Sequence, residues 1–216
     1  AACLVEAQGV DAFDFGSQAA ERVAVYAGLR DATALVAAAF YQQPSQQVQT
    51  IAITGTNGKT SSAWWLAQAL SQSEYAAQGC GLVGTLGVGR FVQGKAELQY
   101  TGLTTPDPVT LQGELRHLAD QGVRYCVMEA SSIGIEERRL DGTQIRIGVF
   151  TNFTQDHLDY HGSMQAYWQS KRALFDWSGM QHAVINVDDA QGAALVPELV
   201  GKLDVWTVSC EKPARL

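Results

Sequence analysis

The hydrophobic positions fall in short, nearly continuous runs separated by segments of helix-forming composition. Gln49 to Thr54 (QTIAIT) is the clearest run, rich in β-branched residues and closed by glycine, and Ser61 to Leu70 after it reads as a helix. Gly81 to Val88 is apolar, punctuated by glycine, and reads as a strand. Asp107-Pro108 has the form of an N-cap followed by an N1 proline, opening a helix through about Gln121. Tyr125 to Glu129, Ile145 to Phe150 and His182 to Val187 read as buried strands, with helices over Ser163 to Trp177 and Asp189 to Leu199 and a last strand at Val205 to Val208. Short apolar strands alternating with helices predict an α/β fold, a mainly parallel sheet covered on both faces.

The first 44 residues follow a different pattern. AACLVEA is a possible strand and Arg30 to Phe40 an Ala-rich helix, before the Gln/Pro/Ser segment QQPSQQ. The expected organisation is the end of a preceding domain plus a linker helix over 1–44, and a central domain over 45–216. The start lacks both an initiating Met and a basic segment before an apolar one, so no secretory signal is expected. The chain reads as entered midway and, at SCEKPARL, as cut.

Composition narrows the function. Hydrophobic residues make up 46% and charged residues 17% of 216 positions, enough for a real core. Fifteen Lys plus Arg against twenty-two Asp plus Glu leave a net charge of −7, which argues against nucleic acid as partner. No run approaches the ~18 apolar residues of a membrane span. Cys3, Cys80, Cys126 and Cys210 are scattered without CxxC or a nearby His, which fits a reducing compartment and neither a disulfide framework nor a zinc site.

Polar clusters sit where the strands end, which is where open α/β sheets bind ligands. The strongest is Gly55-Thr56-Asn57-Gly58-Lys59-Thr60-Ser61. Two glycines let successive N–H groups point into one concavity at a helix N-terminus, Lys59 can reach terminal phosphates and the Thr60 hydroxyl can take Mg²⁺. Ile53 stands where the usual motif has its first glycine, so the plain alternative is a Gly-rich turn with a solvated Lys. The strand before and the helix after favour nucleotide binding. Glu129 ends a strand expected beside this loop and could face a metal ion or simply water. Asp156-His157-Leu158-Asp159-Tyr160-His161-Gly162 packs two acids and two imidazoles into one segment, equally suited to a hard metal or to capping the helix near Ser163. By residue type alone Lys171 snorkels to water, Arg138 and Arg139 are surface charges, and Thr104-Thr105-Pro106-Asp107 is a turn and cap. Trp64, Trp65, Trp168 and Trp177 read as packing residues.

In this order, TGTNGKTSS, TTPD, MEASS, TNFTQDHLDYHG and YWQSKRALF resemble the Mur ligases, closest to the branch of UDP-N-acetylmuramoyl-tripeptide synthetases. The resemblance runs over nearly the whole chain, most clearly from Thr50 to Asp189. It implies a P-loop central ATPase domain and places a C-terminal amino-acid-binding domain beyond Leu216, so the fragment alone is expected not to complete ligation. It implies a cytoplasmic bacterial enzyme, a monomer, that joins a diamino acid (meso-diaminopimelate or L-lysine) to UDP-MurNAc-L-Ala-D-Glu through an acyl phosphate, using ATP and Mg²⁺. The implied ATP contacts are Gly55 to Ser61. The implied metal ligands are Thr60, Glu129, His157 and a carbamate formed from CO₂ on Lys171, with Lys59, Glu129, His157 and Lys171 as the catalytic set. Thr104, Thr105, Ser131, Glu137 and Arg139 align with positions that hold the muramoyl peptide. Ile133 stands where many relatives have His, Leu103 where some have Asn and Glu137 where some have Gln. The alternatives are a folylpolyglutamate synthase-like ligase, against which TTPD counts, and a non-catalytic nucleotide-binding module of the same fold.

Overall fold

The computed structural model describes residues 2–16 and 21–215. Its centre is an eight-stranded sheet in the order β10-β9-β8-β3-β7-β4-β5-β6. The strands are β3 (Gln49–Thr54), β4 (Cys80–Gly84), β5 (Gly87–Val92), β6 (Lys95–Gln99), β7 (Tyr125–Glu129), β8 (Ile145–Phe150), β9 (His182–Asn186) and β10 (Asp204–Val208). All pair in parallel except the β4–β5 and β5–β6 hairpins. Three strands predicted from the sequence, including β3, have the expected limits.

Side-chain alternation divides the core into two layers. Ile51, Ile53, Leu82 and Val127 face one side with Ala63 and Ala67 of helix α2 (Lys59–Leu70). Ala52, Val83, Cys126 and Met128 face the other, with Leu111, Leu115 and Leu118 of α3 (Pro108–Asp120) and Leu195 and Leu199 of α7 (Ala190–Leu199). Small Ala63 and Ala67 let α2 lie close on the strands, and its N-terminus meets the end of β3. Asp107 caps α3, accepting from the Val109 and Thr110 N–H groups at 3.0 Å, as the sequence predicts.

Three expectations are corrected. Gly81 to Val88 is not one strand: Thr85-Leu86 turns the chain between β4 and β5, and Gly87 (φ +129°) sits where a Cβ would meet Gln99 O at 2.6 Å. The chain then reverses again at Gln93-Gly94, both at positive φ (49° and 78°), into β6, whose polar edge sequence gave no strand signal. Trp65 does not pack, being 68% exposed on the outer side of α2. After the short α5 (Leu158–His161), the expected single helix over Ser163 to Trp177 is α6 (Met164–Arg172) tightening to a 3₁₀ turn over Ala173–Asp176, and Ser163 itself caps it through Ala166 N–H.

The N-terminal segment forms a separate two-stranded parallel sheet, β1 (Cys3–Glu6) with β2 (Val23–Tyr26), followed by α1 (Leu29–Phe40). The Glu6 carboxylate accepts from Gly28 and Leu29 N–H at 3.1 and 2.7 Å, closing the start of α1, which packs against α3.

From β3 the chain moves toward β4, and from β8 toward β9 on the opposite side. The crevice beyond the carboxyl ends of β3, β7 and β8 is thus a switch point, the favoured ligand position in such sheets.

Candidate active site

The turn after β3 has room only for glycine at its first position. Gly55 takes φ +142°, and a Cβ there would meet Thr151 Oγ1 at 1.9 Å. Gly58 (φ +82°) then hands the chain to α2 without a side-chain cap, leaving the first N–H groups of a twelve-residue helix open to an anion. The loop is braced by the segment after β8. Thr56 N–H donates to Asn152 O (2.8 Å), Asn57 N–H to Asn152 Oδ1 (2.9 Å) and the Thr151 hydroxyl to Asn57 O (2.7 Å). Thr56 Oγ1 donates to Thr154 O and accepts from Thr154 N–H.

Lys59 folds back over this loop, donating to Gly55 O at 2.9 Å and Thr56 O at 2.8 Å. Burial lowers the proton affinity of its amine, while Glu129 and Asp156 oppose that shift. Thr60, one residue on, donates its hydroxyl to Glu129 Oε2 at 2.8 Å. Glu129 is 2% exposed at the end of β7, and its other oxygen accepts from Thr85 N–H at 2.8 Å. This hydroxyl–carboxylate pair is an all-oxygen donor set facing the phosphate loop, chemistry that suits Mg²⁺. Ser61 is the third residue of the same helix and makes no side-chain hydrogen bond that reaches the loop.

Lys171 overturns the plain reading of its residue type. It is 1% exposed, and its ammonium donates to Gly55 O at 2.8 Å, the same carbonyl that Lys59 uses. Burial and the neighbouring Lys59 charge push its amine down from 10.5 to about 7, against the pull of Asp156. The amine also lies 4.3 Å from the centre of the Tyr167 ring.

Thr104, Thr105, Ser131, Glu137 and Arg139 assemble beside Glu129. Thr104 Oγ1 lies 3.0 Å from Thr85 Oγ1. Thr105 Oγ1 donates to Glu129 O and lies 3.0 Å from Ser131 Oγ, the cap of α4 (Ser132–Glu136). Arg139 donates to Thr105 O at 2.8 Å and to Glu137 Oε2 at 2.9 Å. Arg139 is therefore tied into the site, whereas Arg138 pairs with Asp141 near the surface.

His157 is the residue the structure holds apart. It sits at φ +49°, a conformation costly for a non-glycine residue, half-exposed beside Asp156 and edge-on to Tyr167 at 6.0 Å. It makes no hydrogen bond to Glu129 or Lys171, and among the described residues no three His, Cys, Asp or Glu side chains group as a metal cluster.

Three residues around the site escaped sequence reasoning, and a fourth, His161, was named only as part of its polar segment. Gly84 makes room for Glu129, since a Cβ there would lie 2.3 Å from Oε1. Thr85 holds that carboxylate. Tyr167 is fully buried and donates to Thr56 Oγ1 at 3.2 Å, and its spacing of four from Lys171 was the available signal that both share a helix face. His161, buried between helices, carried no signal that separated it from His157.

The Mur ligase middle domain profile matches residues 53–216. The UDP-N-acetylmuramoyl-L-alanyl-D-glutamate–2,6-diaminopimelate ligase of Acidovorax sp. (strain JS42) is 55% identical over all of this chain and 43% of its own length. The enzyme of the same name from Ralstonia nicotianae is 45% identical over 92% of this chain and 37% of its own. A solved structure of a ligase of that name superposes with a TM-score of 0.71 at 31% identity, over 88% of this chain and 38% of the other. Folylpolyglutamate synthase from Mycobacterium tuberculosis shares the fold, with a TM-score of 0.62 at 18% identity over 81% of this chain and 46% of its own. The chain spans less than half the length of these curated relatives. With a mainly parallel sheet and a glycine-rich loop at its switch point, the chain belongs to the Mur ligase middle domain family.

Proposed function

We propose that this chain is the ATP-binding part of a ligase that joins 2,6-diaminopimelate to the D-glutamyl carboxylate of UDP-MurNAc-L-Ala-D-Glu, in peptidoglycan synthesis. The observation that carries the proposal is the meeting of Lys59, Lys171 and the Thr60–Glu129 pair around one loop. Lys171 and Gly55 are 116 residues apart in sequence, and a scaffold has no use for a buried amine at that position. The names of the relatives support diaminopimelate over lysine as the third amino acid. Residues 1–44 are proposed as the end of a UDP-substrate domain and 45–216 as part of the central domain, with amino-acid recognition supplied by a further domain.

In this reading the phosphate loop and the open start of α2 hold the ATP phosphates, and Lys59 neutralises charge that develops on the transferred phosphoryl oxygens. The substrate carboxylate, a poor acyl donor, attacks the terminal phosphorus of ATP and releases ADP. The incoming amine then attacks the carbonyl carbon of the acyl phosphate, from which inorganic phosphate leaves as the amide forms. Local positive charge from Lys59 is needed because the substrates are anionic and the chain carries −7 overall. Thr60 and Glu129 would hold a Mg²⁺ ion, which supplies charge neutralisation. Glu129, His157 and a carbamylated Lys171 are the proposed ligands of a second. A Lys171 amine with a pKa of about 7 is about half neutral near pH 7, the form that attacks CO₂ to give a carbamate and release a proton. Thr104, Thr105, Ser131, Glu137 and Arg139 are the proposed muramoyl-peptide contacts.

The test is ADP release by the full-length enzyme with UDP-MurNAc-L-Ala-D-Glu and either diaminopimelate or lysine, beside a Lys59→Ala control and a folate panel. Turnover is expected only with the muramoyl dipeptide and diaminopimelate, and at least a hundredfold less in Lys59→Ala. Turnover with folate, or none with the dipeptide, sinks the proposal.

A further inference from the structure

His161 has no part in the chemistry above, yet its side chain is fully buried with both ring nitrogens engaged. Nδ1 lies 2.9 Å from Glu136 Oε2, and Nε2 lies 3.0 Å from Ser132 Oγ. The Glu136 carboxylate only accepts, so a neutral ring carries its proton on Nδ1 and accepts the Ser132 hydroxyl at Nε2. Ser170 of α6 donates to the same Glu136 oxygen at 2.7 Å. The ring also packs on Tyr167, centroids 5.0 Å apart, and Tyr167 in turn touches Lys171 and Thr56.

Both polar partners of the ring belong to α4, and its stacking partner belongs to α6. Helix α4 has five residues, too few to hold its own position, and it is capped by Ser131 and leads to Glu137 and Arg139. From these contacts we infer that His161 is a positioning residue that clamps α4, the muramoyl-peptide side of the site, to α6, the side that carries Lys171. The inference rests on the ligase reading for what each side binds. The clamp itself rests on the contacts. Its ring face serves the nucleotide side through Tyr167, and its nitrogens serve the peptide side through Ser132 and Glu136.

This division makes the two halves separable. His161→Phe keeps the ring on Tyr167 and removes both polar links, and Ser132→Ala, a milder change, removes one. In the full-length enzyme, His161→Phe is expected to raise KM for the UDP-muramoyl dipeptide at least tenfold, and Ser132→Ala about threefold, with KM for ATP within twofold in both. General loss of structure would lower the active fraction and leave both KM values alone. Hydrogen exchange adds a readout independent of substrate: amides of residues 131–137 should exchange at least tenfold faster in His161→Phe, with 164–172 unchanged. An unchanged dipeptide KM, equal rises for both substrates, or unaltered exchange over 131–137 overturns the clamp. If the wild type turns over no muramoyl dipeptide, the ligase reading falls, and the exchange result still decides the clamp.

Discussion

Replacing Lys171 by Met should stabilise the protein, and by an amount that depends on pH. The folded amine titrates at about 7 and the unfolded one at 10.5. Below pH 7 both states hold the proton, and folding bears the full cost of a buried ammonium beside Lys59. Between pH 7 and 10.5 the unfolded chain binds a proton that the folded chain has released, so wild-type stability rises with pH across that window. Integrating this linkage gives a cost of about 5 kcal/mol at pH 6, falling to about 2 kcal/mol at pH 9. Met has a similar length and no charge, but loses the Nζ hydrogen bond to Gly55 O, worth about 1 kcal/mol at either pH. The variant is then expected to exceed wild type by about 4 kcal/mol at pH 6 and about 1 kcal/mol at pH 9. Urea denaturation followed by Trp fluorescence measures this, in buffers stripped of CO₂ so that no carbamate forms. A variant no more stable than wild type at pH 6, or a gap that stays constant from pH 6 to pH 9, would refute the reasoning. The gain would show a site kept for chemistry at a cost in stability.

Two further predictions concern packing near the site and far from it. Gly84→Ala drives a Cβ to within 2.3 Å of Glu129 Oε1, so the carboxylate must leave Thr60. ATP-dependent turnover of the full-length enzyme should fall at least tenfold while the melting temperature changes little, and retained turnover would show that the pairing is dispensable. Asp107→Ala removes the cap that serves Val109 and Thr110, and should cost about 1 kcal/mol in thermal unfolding without altering KM for ATP.

The strands that were legible in the sequence are those buried on both faces. Tyr125–Glu129 and Ile145–Phe150 match their predicted limits because a strand covered by helices on both faces is mostly apolar, Arg146 and the strand-end Glu129 excepted. Strand β6 is an exposed edge, where side chains are free to be polar, so Lys95–Gln99 carries no pattern. The phosphate loop was legible for a related reason. Its glycines are dictated by backbone angles and by the 1.9 Å approach of Thr151, constraints that act locally and leave a local signature. Nothing local distinguishes Lys171 from a surface lysine, and its proposed role came to notice only through resemblance.

Sequence alone therefore determined the alternation of elements, the helix caps and the cradle after β3, because each depends on residues within a few positions of one another. Tertiary structure decided which charges are buried and which meet. It set Lys171 on Gly55, Tyr167 on Thr56, and His161 between α4 and α6, and it left His157 near the surface. Burial and Coulomb interactions depend on distances between segments far apart in the chain, so the lowered proton affinity of Lys171 exists only once α6 has closed over the loop.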